Sequence, residues 1–330
     1  MGVNQADASD RVVVGPHFDL RRTLAGLGLG GRDPAVRFAP DAVSWATRTP
    51  HGAGTARYRP AGDRAGSVVV DAWGPGAAWL VEHAGELLGC HDDRDGFDEL
   101  AARHPLVADL NRRTPGLRIG RSRAVTEAVL RAVCAQKVTG IEAKRAWQGI
   151  VLRWGEPAPG PVRLWVPPAA ATLATVAYEQ LHTVGLERRR AETLKRVAGH
   201  AGRIEQTVDM TPADAAARLQ AVPGVGAWTA AEAAAIALGD RDAVSVGDYH
   251  LPHTICLALA GEARGTDQRM LELLEPFAGH RGRVIRLIEG SGRRAARRGP
   301  RMVPTSWGWD GGRPGRPTPS ARRAPARRRT

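Results

Sequence analysis

The chain has 330 residues, 43% of them hydrophobic, which makes two domains the expectation, each long enough to bury its own core. Its formal charge of +13 points to a nucleic-acid partner, but twelve Arg against one Asp fall in residues 291–330, so residues 1–290 carry only +2. The three cysteines, Cys90, Cys134 and Cys256, lie far apart and exclude a disulfide framework and a four-cysteine zinc or iron–sulfur site, so no metal or cluster is expected. No run approaches ~18 apolar residues and the N-terminus lacks the plan of a signal peptide, so a cytoplasmic protein without membrane contact is expected.

In chain order, residues 12–14, 36–38, 43–47, 55–59 and 67–73 read as short strands separated by Gly, Pro and Asp, with a short helix at 20–24 and another from Pro75 to about Leu88. Residues 1–117 are therefore expected to form a small α+β domain. Residues 118–290 read as helices. Ser122 is the expected cap of a helix whose stripe is Val125, Val129, Leu130 and Val133, and residues 141–154 form the next. Five prolines mark 156–168 as a loop. Helices are expected at 168–181 and at 187–201, the latter with Arg188, Arg189, Arg190 and Lys195 outward, either as a phosphate-facing surface or as a solvated face. Three more follow at 249–259, 267–277 and 281–288. From Ser291 onward Arg, Gly and Pro dominate, and a disordered basic tail is expected that attracts DNA without reading its sequence or serves only solubility.

The stretch 219–250, LQAVPGVGAWTAAEAAAIALGDRDAVSVGDYH, organises the helical part. Thr211-Pro212 reads as an N-cap followed by Pro at the first helical position, and the helix it opens ends near Ala221. Val222-Pro223-Gly224-Val225-Gly226 is a tight turn, and residues 227–238, rich in Ala, form a second helix stopped by Gly239. Glycines flanking such a turn let backbone N–H groups converge on a phosphate at the start of the second helix; the alternative is a plain corner between helices. Asp248 has two readings as well, a cap for the helix it precedes or a functional acid.

With these pieces in place, the chain resembles the helix-hairpin-helix DNA glycosylase superfamily. It is most similar to the alkylation-repair branch, 3-methyladenine DNA glycosylase II, in its actinobacterial form. The resemblance covers nearly all of residues 10–290 and rests on AVCAQKVTG at 132–140, LQAVPGVGAWTAAEAA at 219–234 and VSVGDYHLP at 244–252. It implies a mainly α fold, a helical glycosylase core with a small N-terminal α+β domain. It also implies a monomeric enzyme, near the nucleoid, acting on double-stranded DNA that contains alkylated bases.

Residue by residue, the resemblance makes Asp248 the catalytic acid and Trp228, Tyr249 and Glu232 the surroundings of a flipped base. It assigns DNA contacts to Val222, Gly224, Val225, Gly226 and Thr229 at the hairpin, and to Gln136 and Lys137 where relatives insert a wedge into the stack; the other readings of this pair are a phosphate contact from Lys137 and a plain polar helix end. A carboxylate suits this chemistry because breaking an N-glycosidic bond builds positive charge on the sugar, and an alkylated purine, already cationic, leaves without strong acid help. Relatives that also cut the strand carry a Lys two residues after the second hairpin Gly; here Trp228 stands there, which implies base release alone. Glu232 is a departure, since the best-known bacterial relative has a pocket aromatic at that position; an acid there is expected to attract cationic bases or to contact a base edge. A cation at the hairpin is neither required nor excluded by these residues. The competing reading is a catalytically silent protein that binds damaged DNA through the same hairpin.

Overall fold

Period-two patterning builds the first layer of the computed structural model, which describes residues 5–63 and 66–295. Strands β1 (Ala8–Val13), β2 (Val36–Phe38), β3 (Val43–Thr49), β4 (Gly52–Pro60) and β5 (Ser67–Trp73) form one antiparallel sheet in the order β1-β5-β4-β3-β2. Its register pairs Val43 with Tyr58 and Tyr58 with Val70. These residues share a face with Trp45, Ala56, Val68 and Ala72, and that face is buried against the helices Ala77–Glu82 and Ala84–Leu87.

The Pro-rich stretch expected as a loop forms a two-stranded ribbon, β6 (Glu156–Pro157) with β7 (Trp165–Val166). Val166 and Leu164 pack on Ala46, on the other face of β3, so this ribbon joins the sheet to the helices. The expected helix at 168–181 is two short ones, Ala170–Thr175 and Tyr178–Thr183, because Val176 and Ala177 take extended backbone between them.

The second layer is the helical core. Helix Val125–Ala135 runs through its centre with almost every residue buried, packed by helices Gly140–Trp154, Arg188–Gly199 and Ala227–Ala233. Its start is not capped by Ser122. The Glu205 carboxylate takes the N–H groups of Val125 (3.2 Å) and Thr126 (2.9 Å) instead, placing negative charge at the positive end of the helix dipole. Arg190, expected outward, turns inward: it is 4% exposed and donates to the carbonyls of Cys134 (3.0 Å) and Gly185 (2.9 Å). Its fork ties off the C-terminal end of the central helix, where carbonyls lack intrahelical partners.

A third cluster crosses the expected domain order. Phe97, Val107 and Leu110, from helices Phe97–Ala102 and Pro105–Arg113, pack on Leu251, Ile255, Met270, Val284 and Ile288. Residues 97–117, read with the sheet on sequence, thus pack with the C-terminal helices Leu251–Ala260, Asp267–Leu274 and Arg281–Gly290. Arg283, buried with Asp92, bonds both carboxylate oxygens and stacks its guanidinium on Phe97. Among the described residues no helix is long and apolar enough to cross a membrane. The tail expected from residue 291 lies outside the described residues from 296 onward.

Candidate active site

The hairpin follows from its letters. Helix Pro212–Gln220 is capped by Thr211, whose hydroxyl accepts from Asp214 N, and carries Pro in its first turn. Val225 N then donates to Val222 O at 2.9 Å across Pro223-Gly224, a turn with Pro second and a glycine of φ +98° third. A Cβ at Gly224 would also meet Thr193 Oγ1 at 2.2 Å, whereas the space around a Cβ at Gly226 is open. Val222 and Val225 are buried in the helical core, so any contact they make with a ligand is through backbone. Helix Ala227–Ala233 starts directly after Gly226 and continues as a wider π-turn, Ala234–Leu238, to Gly239 in the left-handed conformation.

Asp248 sits where this helix meets the third cluster. Ser245 to Asp248 is a second tight turn: Asp248 N donates to Ser245 O at 3.2 Å, and Gly247 has φ +91°. The Gly247 N–H is held by both oxygens of Asp267, at 3.1 Å each. Asp248 Oδ1 accepts from His250 N (2.7 Å) and Leu251 N (2.8 Å), so the residue does cap helix Leu251–Ala260. Its other oxygen, Oδ2, accepts the indole N–H of Trp228 at 3.1 Å. The two readings of Asp248 are therefore compatible, because one oxygen fixes the side chain while the other is oriented by the hairpin helix.

Glu232 stands one turn beyond Trp228 and accepts a short hydrogen bond from the Ser245 hydroxyl. Burial pushes its carboxyl above the ordinary glutamate range, and the Asp248 charge adds to this, while the Ser245 bond, Arg286 and Arg131 act the other way. Trp228, Glu232 and Asp248 thus form one connected group. Tyr249 does not join it: the residue is 75% exposed and its ring lies edge-on to His250 and His253.

Gln136 joins the hairpin by a different route. Its amide donates to Gly224 O and to Thr229 Oγ1, both at 2.9 Å, and Thr229 itself is 2% exposed. The Gln136 amide nitrogen is thus engaged within the protein, and Thr229 is buried. Lys137 is exposed and left-handed, with φ +51°, between Gln136 and the box in which Thr139 and Glu142 cap helix Gly140–Trp154. Among the described residues no group of three or more His, Cys, Asp or Glu is placed to hold a metal ion. A cavity of about 330 Å³ opens beside residues 17–21 and 40–42 and shares no residue with the Asp248 site.

Ser245, Gly247 and Asp267 were missed on sequence. Gly247 had a signal, a glycine directly before the acid, but the partners across the fold had none.

No family model matches the chain, and no curated protein matches it. Among solved structures, the 3-methyladenine DNA glycosylase from Archaeoglobus fulgidus superposes with a TM-score of 0.74 at 18% identity, covering 86% of this chain and 98% of that one. A structure of MBOgg1 with a low-affinity DNA ligand gives 0.68 at 15% identity over 88% and 98%. The Clostridium acetobutylicum 8-oxoguanine glycosylase/lyase, bound to double-stranded DNA with cytosine opposite 8-oxoguanine, gives 0.66 at 14% identity over 88% and 98%. Sheet, helical core and hairpin together give this chain the fold of the helix-hairpin-helix DNA glycosylases.

Proposed function

We propose that the chain is a monofunctional DNA glycosylase that flips an alkylated purine of the 3-methyladenine or 7-methylguanine type out of duplex DNA and hydrolyses its N-glycosidic bond. The observation that carries the reading is the bonding of Asp248, one oxygen capping a helix and the other meeting Trp228 of the hairpin helix. A carboxylate fixed in this way can stabilise positive charge developing on a sugar and orient the attacking water without reorganising first. The hairpin supplies backbone N–H groups at a helix start for a phosphate, and Lys137 offers a cation at the adjoining tip.

Trp228 occupies the place where a strand-cutting relative would carry its amine nucleophile. An indole forms no Schiff base with the sugar, so the product is an abasic site in an intact strand. Its ring also offers an electron-rich face to a cationic purine.

The test is base release from methylated duplex. Wild-type protein should generate abasic sites that break only on alkali treatment, and Asp248→Asn should lower single-turnover release by about a thousandfold, the scale of losing a group that stabilises transition-state charge. Lesion-duplex affinity should be retained. Equal release by both proteins would remove Asp248 from catalysis. Damage-dependent binding without release by the wild type would describe a binding protein instead. A panel of alkylated, deaminated and oxidised lesions defines the substrate range.

A further inference from the structure

Trp228 and Glu232 are four residues apart on helix Ala227–Ala233, so they share one face of it. Both reach the same turn. Trp228 bonds its last residue, Asp248, and Glu232 bonds its first, Ser245, whose carbonyl receives the Asp248 N–H. We infer that Glu232 is a positioning residue for Asp248, gripping the near end of the turn while Trp228 grips the far end. The inference rests on the reading of Asp248 as the reacting acid and gives Glu232 a task other than contacting the base.

The local charges fit this role. The Glu232 carboxyl is surrounded by Ser245 and Asp248 from the turn, by Arg131 from the central helix, by Arg286 from helix Arg281–Gly290, and by Glu289 at the end of that helix. Burial first, and the Asp248 charge as well, favour its neutral form. A neutral Glu232 still accepts from Ser245 through its carbonyl oxygen and does not repel the acid it places. Asp267 also holds the turn through the Gly247 N–H, and at the near end the Glu232–Ser245 bond adds to the Val246 N to Val244 O bond that spans Ser245.

Two measurements on the full chain test the inference. In nitrogen-15 spectra, with the Trp228 indole resonance assigned by Trp228→Phe, solvent exchange of that N–H should quicken at least fivefold in Glu232→Ala and in Ser245→Ala. It should stay near the wild-type rate in Glu232→Gln, whose amide oxygen still accepts from Ser245. In single-turnover base release at saturating enzyme, Glu232→Ala should lose about tenfold with unchanged lesion-duplex affinity, the equivalent of one neutral hydrogen bond. Glu232→Gln should recover most of that loss, and the Glu232→Ala/Ser245→Ala double variant should be no slower than either single one. Unchanged indole exchange in Glu232→Ala, additive losses in the double variant, or a changed lesion preference in Glu232→Gln with unchanged exchange would each overturn it. A wild-type chain that releases no base removes the proposed function, and the exchange measurement alone then decides the grip.

Discussion

Trp228 shows how one side chain serves two ends. Its ring lies at the start of the hairpin helix, and its N–H fixes the orientation of the Asp248 carboxylate. Trp228→Phe keeps an aromatic face and removes the donor. Loss of a hydrogen bond to a charged acceptor is worth roughly 1.5 kcal/mol or more, so release should slow about tenfold in single-turnover kinetics while methylated-duplex affinity changes little. A rate equal to wild type would show that the indole N–H does not orient the acid. At this scale the hairpin glycines and the capping reading of Asp248 were legible in the sequence because turns and caps are local chemistry, whereas Trp228 was placed near a base only by resemblance and its bond to Asp248 had no local signal. Arg190 was not, because periodicity scores every Arg as outward and cannot see the carbonyls of Cys134 and Gly185 waiting inside. Tyr249, expected beside a base, is exposed, and its ring meets His250 and His253.

At the scale of elements, the hairpin separates two glycines that the sequence treats alike. Gly224 needs its left-handed backbone and the space against Thr193, so Gly224→Ala should destabilise the fold by about 1–2 kcal/mol from backbone strain alone, with the clash added. Gly226 has ordinary backbone and open space, so Gly226→Ala should leave the melting temperature within about 1 °C, as a surface change within ±0.5 kcal/mol does. If a phosphate approaches that backbone, the added methyl should weaken duplex binding severalfold; unchanged affinity would show that nothing docks there. Strand and helix positions were largely readable, since alternation in β5 and the stripe of Val125–Ala135 are strong patterns. The bracket from Gln136 to Gly224 and Thr229 was hidden, because its partners lie 88 and 93 residues away. The Glu205 cap was hidden for the same reason.

At the scale of the whole molecule, Glu127 joins the sheet to the central helix. Thr47 of β3 donates to its carboxylate at 2.7 Å, and burial pushes the carboxyl up to about 7, with Asp33 adding and Arg131 and the Thr47 bond opposing. A glutamate raised in the folded state holds a proton that the unfolded chain releases near its ordinary value of about 4.3. Between there and about 7 the unfolded state binds fewer protons, so stability falls as pH rises through that window and levels off above it. Melting temperatures between pH 5 and 8 should therefore decline more steeply in wild type than in Glu127→Gln; equal slopes would remove Glu127 as the source. The sheet and helical layers were foreseen, but the alliance of residues 97–117 with the C-terminal helices was not, because apolar stripes state that an element is buried and not against what. That alliance bears on Asp248. One of its oxygens is held by Trp228 on the helix that leads out of the helical core, and the other by the first turn of Leu251–Ala260, whose Leu251 and Ile255 pack in the third cluster. The acid is thus a keystone between two packed bodies. A chain with either body undocked has the residue but not its geometry, so a partly folded molecule would lack the site before it lost its secondary structure.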